Sequence, residues 1–395
     1  MNAPAALDPT IISLGCRMNI AESERMRAML KGQDVVVVNS CAVTAEAVRQ
    51  TRQAIRRARA AHPASRLIVT GCAAEIERAA IGAMEEVDGI IANAAKLDPR
   101  AWNIPAREAP LVPARTRAFI AVQNGCDHAC TFCIIPQGRG ASRSLSVADV
   151  LREVAEHVSA GAREVALTGV DLTSWGHDLP GAPRLGALVR AILDAFPALA
   201  RLRLSSVDGV EIDAELFDLI AHEPRVMPHL HLSLQHGADL ILKRMKRRHL
   251  RRDAVELVAR LKALRPDIAI GADLIAGFPT ETGAHHAENL TIIRECQIVH
   301  GHIFPYSPRP GTPAARMPQV PRDVVKQRAA ELRTAVAHER ARWLASLVGQ
   351  SFPVLAERDG TGYSPHYARF RLPPGTRAGE VVTITADTLE EGLLA

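Results

Sequence analysis

Cys126-Asp127-His128-Ala129-Cys130-Thr131-Phe132-Cys133 places three thiols in one short loop at C-x3-C-x2-C spacing. A cubane iron–sulfur cluster needs four ligands, so a [4Fe–4S] cluster held by Cys126, Cys130 and Cys133 keeps one iron open for something else. A structural zinc site wants a fourth Cys or His, and its usual knuckle spacings are C-x2-C or C-x4-C. His128 lies inside the loop and keeps the zinc alternative open. A disulfide framework is unusual in an intracellular enzyme of this size. A strand is predicted just before the loop, over 118–122, and the polar turn Gly138-Arg139-Gly140 follows it.

Three further cysteines are spread through the first hundred residues. That region, 8–102, alternates strand and helix signals. Thr10 to Leu14, Asp34 to Val38 and Arg66 to Thr70 are β-branched runs bounded by glycine or polar residues, and read as short buried strands. Amphipathic stretches near Ile20 to Leu30, Thr44 to His62 and Glu75 to Glu86 read as helices. The alternation predicts a doubly wound parallel sheet with right-handed crossovers. Cys16, Cys41 and Cys72 each follow the end of one predicted strand by a few residues. Parallel strands end on one edge, where such folds put their ligands, so the three thiols are expected to converge. Three unrelated buried cysteines is the bland alternative. A second three-thiolate cluster is the sharper reading. Cys296, the seventh cysteine, sits in a helical stretch and reads as a small buried hydrophobe.

The 395-residue chain is 47% hydrophobic and 23% charged, ordinary for a globular protein with two or three domains. Its net charge of +5 permits an anionic partner without demanding one. With 42 arginines against 6 lysines, the basic residues look compositionally biased, and single arginines carry reduced weight. No run of 18 apolar residues predicts a membrane span, and residues 1–10 lack signal-peptide character. The cytoplasm is the expected location.

Residues 103–117 are proline-rich and read as a linker. Over 112–345 the alternation resumes, with strands predicted at 118–122, 164–168, 201–205, 229–234, 268–275 and 299–305. The intervals admit a crossover helix each time, which predicts a central partial (β/α)6 barrel rather than a closed eight-stranded one. A charged helix is predicted from Pro321 to about Leu347. The tail, 348–395, carries strand-like runs at 352–356, 368–372 and 380–386, and reads as a small β-barrel or sheet.

The loop with Phe132 just before its third cysteine resembles the signature of the radical S-adenosylmethionine enzymes. That resemblance implies that the open iron chelates the methionine part of S-adenosylmethionine, and that one electron from the cluster releases a 5′-deoxyadenosyl radical. The order of parts resembles the radical methylthiotransferases. Leu14-Gly15-Cys16-Arg17-Met18-Asn19, Asn39-Ser40-Cys41 and Thr70-Gly71-Cys72 look like that family's amino-terminal signatures. Gly362-Tyr363-Ser364 with Tyr367 resembles its TRAM domain, a small RNA-binding barrel. Known branches act on isopentenyl-adenosine in tRNA, on threonylcarbamoyl-adenosine in tRNA, or on an aspartate of a ribosomal protein. The stretches Cys41 to Ala47, Cys133 to Pro136 with Arg139-Gly140, and Phe304 to Thr312 look most like the threonylcarbamoyl-adenosine branch, as does basic Arg17. His236 departs from the family, which more often has Ser after Leu-Gln.

By the same resemblance, Gly169-Val170-Asp171 stands where a glycine-rich acidic motif holds the amino group of S-adenosylmethionine, and a carboxylate suits an ammonium there. The plain alternative is that Asp171 caps the next segment. Ser205, Ser206 and Gln235 end the third and fourth strands and are candidates for the cofactor's polar groups. Asp273 and Gly277-Phe278-Pro279 belong to the fifth strand, where the family's backbone approaches the adenine. Two basic runs bear on RNA: Arg49, Arg52, Arg56, Arg57 and Arg59, and Lys243 to Arg248 with Arg251 and Arg252. A solvated helix face explains them equally. Trp175 and Tyr306 fall on loops of the predicted catalytic face, where aromatic rings can stack on bases.

The resemblance implies methylthio insertion at carbon 2 of adenosine 37 in the tRNA anticodon loop. That C–H bond carries no acidic proton, so side-chain acid–base chemistry cannot open it and a cofactor radical is needed. It also implies two [4Fe–4S] clusters, S-adenosylmethionine, an electron donor such as flavodoxin or ferredoxin, and a monomer. A ribosomal-protein methylthiotransferase and a non-enzymatic iron–sulfur RNA scaffold or redox sensor are the alternatives.

Overall fold

The computed structural model describes residues 8–104 and 116–395. Most of the proline-rich stretch read as a linker lies outside the described residues. Two compact units emerge. One comprises residues 8–104 with 124–143 and 307–312; the other comprises 116–123, 144–306 and 313–395. The C-x3-C-x2-C loop, read from sequence with the central region, groups with the first.

The first unit is built on a four-stranded parallel sheet in the order Thr10–Ser13, Val35–Ser40, Arg66–Gly71, Gly89–Ile90. Its middle strand contains four consecutive buried valines because both faces are covered. Val36, Val38, Leu67 and Val69 pack with Val48, Ile55 and Ala58 of the helix Ala45–Ala61. Val35, Val37 and Ile68 pack with Ile11, Trp102 and, from the helix Arg17–Met29 and its C-cap, Met26 and Leu30. Thr44 caps the second helix by accepting the Ala47 N–H at 3.1 Å, satisfying one of its free donors. The helix expected over Glu75 to Glu86 is instead two short pieces, Cys72–Ile76 and Arg78–Gly82. Glu77 breaks it with non-helical φ −111° and ψ 34°, and its carboxylate is held by Arg52 at 2.6 Å.

In the second unit all six expected central strands are present and pair only in parallel. Arg117–Ala121, Glu164–Thr168 and Leu202–Leu204 form one sheet; Ser206–Val207, His229–Gln235, Ala269–Ala276 and Ile298–Pro305 form another. The third predicted strand is thus divided at Ser205. Alternate strand residues, among them Val165, Leu167, Leu230, Leu232, Ala272 and Leu274, pack with helix residues such as Val154, Ile192, Leu219, Leu261 and Ile292 in one core. The residues between them, including Glu164, Arg203, His231 and Asp273, fall on the opposite sheet face. Cys296 is fully buried at the end of the helix Gly283–Glu295, and burial pushes its thiol up to about 12. No described helix is long and apolar enough to cross a membrane.

The tail strands run in the order Val381–Thr385, Ser351–Ala356, Thr361–Tyr363, Arg369–Arg371, Leu393–Leu394, Leu389–Glu390. Three of these, of two or three residues each, escaped the sequence reading because so short a run shows no periodicity. The helix Arg322–Leu347 leads into the tail, directly after Pro321.

The tail is anchored at the N-terminal ends of the central strands. Glu164, fully buried at a strand start, meets three arginines: Arg117, Arg201 at 2.9 Å and Arg203 at 3.0 Å. Arg201 also donates to the carbonyls of Pro353 and Tyr363, and Arg203 to that of Pro365. The Arg203 guanidinium lies 3.8 Å from the centre of the Tyr367 ring. Tyr363 and Tyr367, two of the residues that suggested an RNA-binding barrel, therefore face arginines of their own chain.

Burial raises the Glu164 carboxyl's pKa, but the three guanidiniums outweigh it and hold the pKa well below the ordinary 4.5. A depressed pKa contributes stability above the unfolded value and loses it as pH falls toward the folded one. Glu164→Gln takes from three buried arginines the carboxylate they share, with Arg117 keeping Glu357 at 3.4 Å, and is expected to cost about 3–5 kcal/mol at pH 7. Urea unfolding should show this loss, with limited proteolysis releasing the tail first. The gap from the parent should narrow as pH drops below 4.5; a gap independent of pH would refute the charge account.

Candidate metal centre

Cys16, Cys41 and Cys72 stand at equivalent strand ends, three, one and one residues beyond Ser13, Ser40 and Gly71. Cys16 occupies the N-cap of the helix Arg17–Met29, and Cys72 opens the helix Cys72–Ile76. The glycines before them are required by the backbone. Gly15 and Gly71 both have φ +92°, where an L side chain is strained. A Cβ on Gly15 would lie 2.7 Å from Cys41 Sγ, and one on Gly71 would lie 2.4 Å from the Ser40 carbonyl oxygen. Burial raises the Cys41 thiol's pKa, with Cys16 and Cys72 adding to the rise.

The asparagines of the same motifs lock this edge. Asn19 donates to the Leu14 carbonyl at 2.6 Å and the Ser40 carbonyl at 3.0 Å. Asn39 donates to the Asn19 carbonyl at 3.1 Å and to Ser23 Oγ at 3.0 Å. Ser40 donates to the Thr70 carbonyl at 2.5 Å and accepts the Ala74 N–H at 3.1 Å.

Behind the thiols lies a buried charged triad. Glu22 accepts from Arg139 through both carboxylate oxygens, at 2.9 and 3.1 Å, and pairs with Lys96 at 2.6 Å. Arg139 also donates to Asn19 Oδ1 at 2.6 Å and Asn124 Oδ1 at 2.9 Å. Lys96 donates to Asn39 Oδ1 at 3.2 Å. Burial opposes the Glu22 carboxylate, but its two cations hold its pKa below the ordinary value. Burial lowers the Lys96 ammonium's pKa, and Glu22 works against that shift. Burial raises the Cys72 thiol, and Arg139 and Lys96 counter that rise, favouring thiolate.

Cys126, Cys130 and Cys133 are half-buried in an irregular run that belongs to the same unit. The His128 N–H donates to Cys126 Sγ and the Ile135 N–H to Cys133 Sγ, both at 3.4 Å. The Cys133 N–H closes a turn on the Cys130 carbonyl at 3.2 Å. Three cysteines from one loop, two receiving backbone N–H donors, form a donor set suited to a cubane cluster. Phe132 is half-buried within this turn. The following helix, Ile135–Arg139, ends on the arginine that joins Glu22 and Asn19. Asn93 bridges the same two regions, donating to the Gly138 carbonyl at 2.5 Å beside Cys72 Sγ at 3.8 Å. Segment 307–312 completes the unit: Ser307 Oγ accepts the Ala45 N–H at 3.1 Å.

The expected cofactor contacts from the central strands all lie in the second unit, near C-terminal strand ends. Asp171 heads the turn Leu172–Ser174, accepts from Ser174 Oγ at 2.6 Å and has its N–H on Gln123 Oε1. Gly169 lets that turn close, since its Cβ would fall 2.9 Å from Gln123 Oε1. Ser205 Oγ is buried with no hydrogen-bond partner among the described residues. Gln235 holds φ +69° without being glycine, the kind of backbone strain that collects at working sites. Gly277 serves packing: a Cβ would meet Val325 at 2.5 Å. Asp273 differs from expectation, since its carboxylate already accepts from His231 and His302. His236, the departure from the family pattern, is a core residue between Glu281 and the Ala238 N–H.

Several nucleic-acid candidates already have partners within the fold, although Arg56 and Arg248 stay exposed. Trp175 is fully buried, its indole N–H on the Leu145 carbonyl at 2.9 Å, and cannot stack on a base. Arg52, Arg56 and Arg59 pair with Glu77, Glu86 and Asp88. Arg247 and Arg248 meet Asp208, and Arg251 meets Glu295. Lys243 and Lys246 remain exposed. Only tertiary packing assembles the Glu22 triad; along the sequence Arg139 reads as no more than part of the turn Gly138-Arg139-Gly140.

Residues 120–291 match the Radical SAM superfamily, and residues 9–92 match the family described as Uncharacterized protein family UPF0004. A solved structure of the radical S-adenosylmethionine methyltransferase TsrM from Kitasatospora setae has a similar fold, at 17% identity and TM-score 0.52 over 71% of this chain and 66% of that one. Threonylcarbamoyladenosine tRNA methylthiotransferase MtaB of Rickettsia prowazekii is 42% identical, across 97% of this chain and 96% of its own. tRNA-2-methylthio-N(6)-dimethylallyladenosine synthase of Erythrobacter litoralis is 34% identical, across 88% and 86%. Likeness of this extent, over the parts that carry both cysteine sets, places the chain in the radical S-adenosylmethionine methylthiotransferase family.

Proposed function

We propose that this enzyme inserts a methylthio group at carbon 2 of N6-threonylcarbamoyladenosine at position 37 of tRNA. The carrying observation is the pairing, in one compact unit, of a three-cysteine sheet edge with the C-x3-C-x2-C loop, joined through Arg139 and Asn93. In this reading Cys126, Cys130 and Cys133 hold one [4Fe–4S] cluster, and Cys16, Cys41 and Cys72 hold a second. The first cluster, when bound with S-adenosylmethionine, supplies the one-electron cleavage that yields a carbon radical.

The remaining roles belong to this chain's own side chains. Asp171 offers a carboxylate for the cofactor's ammonium. Ser205 brings a buried hydroxyl that still needs a partner, and Gln235 an amide presented from a strained strand end. Phe132 and Gly169 shape the approaches, as Gly277 does against Val325. Arg139 and Lys96 offset part of the rise that burial imposes on the Cys72 thiol. The six central strand–helix units act as a partial (β/α)6 barrel, and the tail as a small TRAM-like β-barrel contacting the tRNA anticodon stem and loop. The enzyme works as a cytoplasmic monomer supplied with electrons by a donor such as flavodoxin or ferredoxin. The threonylcarbamoyl branch is favoured by the Rickettsia relative and by the stretches at Cys41 and Phe304.

Anaerobically reconstituted, chelator-washed protein should carry about eight cluster irons, four per cubane. Replacing either cysteine set with Ala should leave about half of that iron. Loss of the Cys126 set should abolish formation of 5′-deoxyadenosine. Loss of the Cys16 set should preserve that cleavage while ending thiolation, read by mass spectrometry of tRNA nucleosides. Thiolation surviving without Cys16, Cys41 and Cys72 would reverse the assignment.

Arg17 opens the helix just after Cys16, and in this reading pairs with the threonyl carboxylate, which an isopentenyl group lacks. Purified enzyme should modify threonylcarbamoyl-adenosine tRNA and spare isopentenyl-adenosine tRNA; the opposite preference rejects the branch. Arg17→Gln should raise KM selectively for the threonylcarbamoyl substrate. An equal weakening of binding to threonylcarbamoyl-adenosine tRNA and to tRNA lacking that group would assign Arg17 to phosphate binding instead.

A further inference from the structure

On the polar face of the second unit's sheet, three side chains aim potential metal-ligand atoms at one point. His231 Nε2 is 3.0 Å from Asp273 Oδ1, and His302 Nδ1 is 3.1 Å from the same oxygen. All three atoms lie within 4.8 Å of one another. We propose that His231, Asp273 and His302 bind a single divalent transition-metal ion of the Zn2+ class through two imidazole nitrogens and one carboxylate oxygen, with no cysteine ligand.

The geometry suits that assignment. Zinc bonds to imidazole and carboxylate run about 2.0–2.2 Å, so tetrahedral ligand atoms sit roughly 3.3 Å apart. The observed separations from Asp273 need only small adjustments. Both imidazoles converge on one carboxylate oxygen, the arrangement in which a central cation gains most.

The scaffold is preorganised. Each ligand comes from the interior of a parallel strand rather than a loop, and Asp273 and His302 are direct register partners. His231 pairs with Gly271 on the adjacent strand. A Cβ at Gly271 would fall 2.4 Å from His231 Nδ1, so the imidazole occupies room that only glycine leaves. The rings of His231 and His302 have centroids 4.6 Å apart.

Charge points the same way. Asp273 is mostly buried and pairs with no arginine or lysine among the described residues; the two imidazoles are its counterparts. A divalent ion among the three would neutralise the Asp273 carboxylate, the formal anion of the cluster. His231 is buried, whereas the His302 side chain is 60% exposed. That exposure provides a path for the ion and room for a water or substrate ligand, the open position of a non-structural site. Two histidines and a carboxylate also suit ferrous iron, so zinc serves as the probe that the iron–sulfur clusters do not contain.

The test uses reconstituted, chelator-washed full-length enzyme, dialysed to equilibrium against micromolar Zn2+ with zinc and iron both counted. The parent should bind about one zinc, with an X-ray absorption first shell of nitrogen and oxygen at about 2.0–2.1 Å. His302→Ala, at an exposed position, should weaken uptake at least roughly tenfold with iron unchanged. Asp273→Asn should do the same or worse. No zinc uptake by the parent, sulfur in the zinc shell, or full uptake by His302→Ala would each overturn the site and leave a plain hydrogen-bonded His–Asp–His cluster.

Discussion

The carboxylate of Glu22 is the point on which the first unit turns. It sits in the interior with Arg139 and Lys96, and each of these cations reaches on to an asparagine of a cysteine motif. Removing any one charge from such a set strands the others in a poorly solvating interior, a cost that usually exceeds the value of the ion pair itself. The triad therefore works as a register device. It determines where the segment after Cys133 lies against the helix after Cys16, and so where the two sets of thiols can be.

The second unit applies the same electrostatic logic at the other end of its strands. Glu164 gathers Arg117, Arg201 and Arg203; Arg201 and Arg203 donate on to tail carbonyls, and Arg117 pairs with Glu357 at 3.4 Å. An anchor at the N-terminal ends leaves the C-terminal ends to Asp171, Ser205 and Gln235. The abundant arginines consequently divide into structural and unassigned groups. Many that looked like phosphate contacts are partners of Glu77, Asp88, Asp208 and Glu295. Their guanidiniums offer several donors at fixed angles, which suits holding a carboxylate and a carbonyl at once.

Local pattern was a good guide wherever the physics was local. The valine run at 35–38 has no polar interruption because both faces of its strand are covered. Thr44 and His62 bound the helix that the local pattern predicts, and they are its caps. The reading faltered where a long-range contact overrides local preference. Glu77 leaves the helix while its carboxylate is held by Arg52, and Trp175 turns inward to the Leu145 carbonyl.

By itself, the sequence determined the parallel α/β class, the six central strands and the two groups of three cysteines. Strand periodicity, glycine placement and thiol spacing are properties of neighbouring residues and can be read along a line. Only the tertiary structure decided that Glu22, Lys96 and Arg139 form one buried charge set, that Asp273 lies between two histidines, and that Tyr363 and Tyr367 serve the anchoring of the tail. Those residues are separated by 29 to 250 positions in the chain and are joined by burial. In the interior a charge must find a partner wherever the fold supplies one, and no local pattern records which partner that will be.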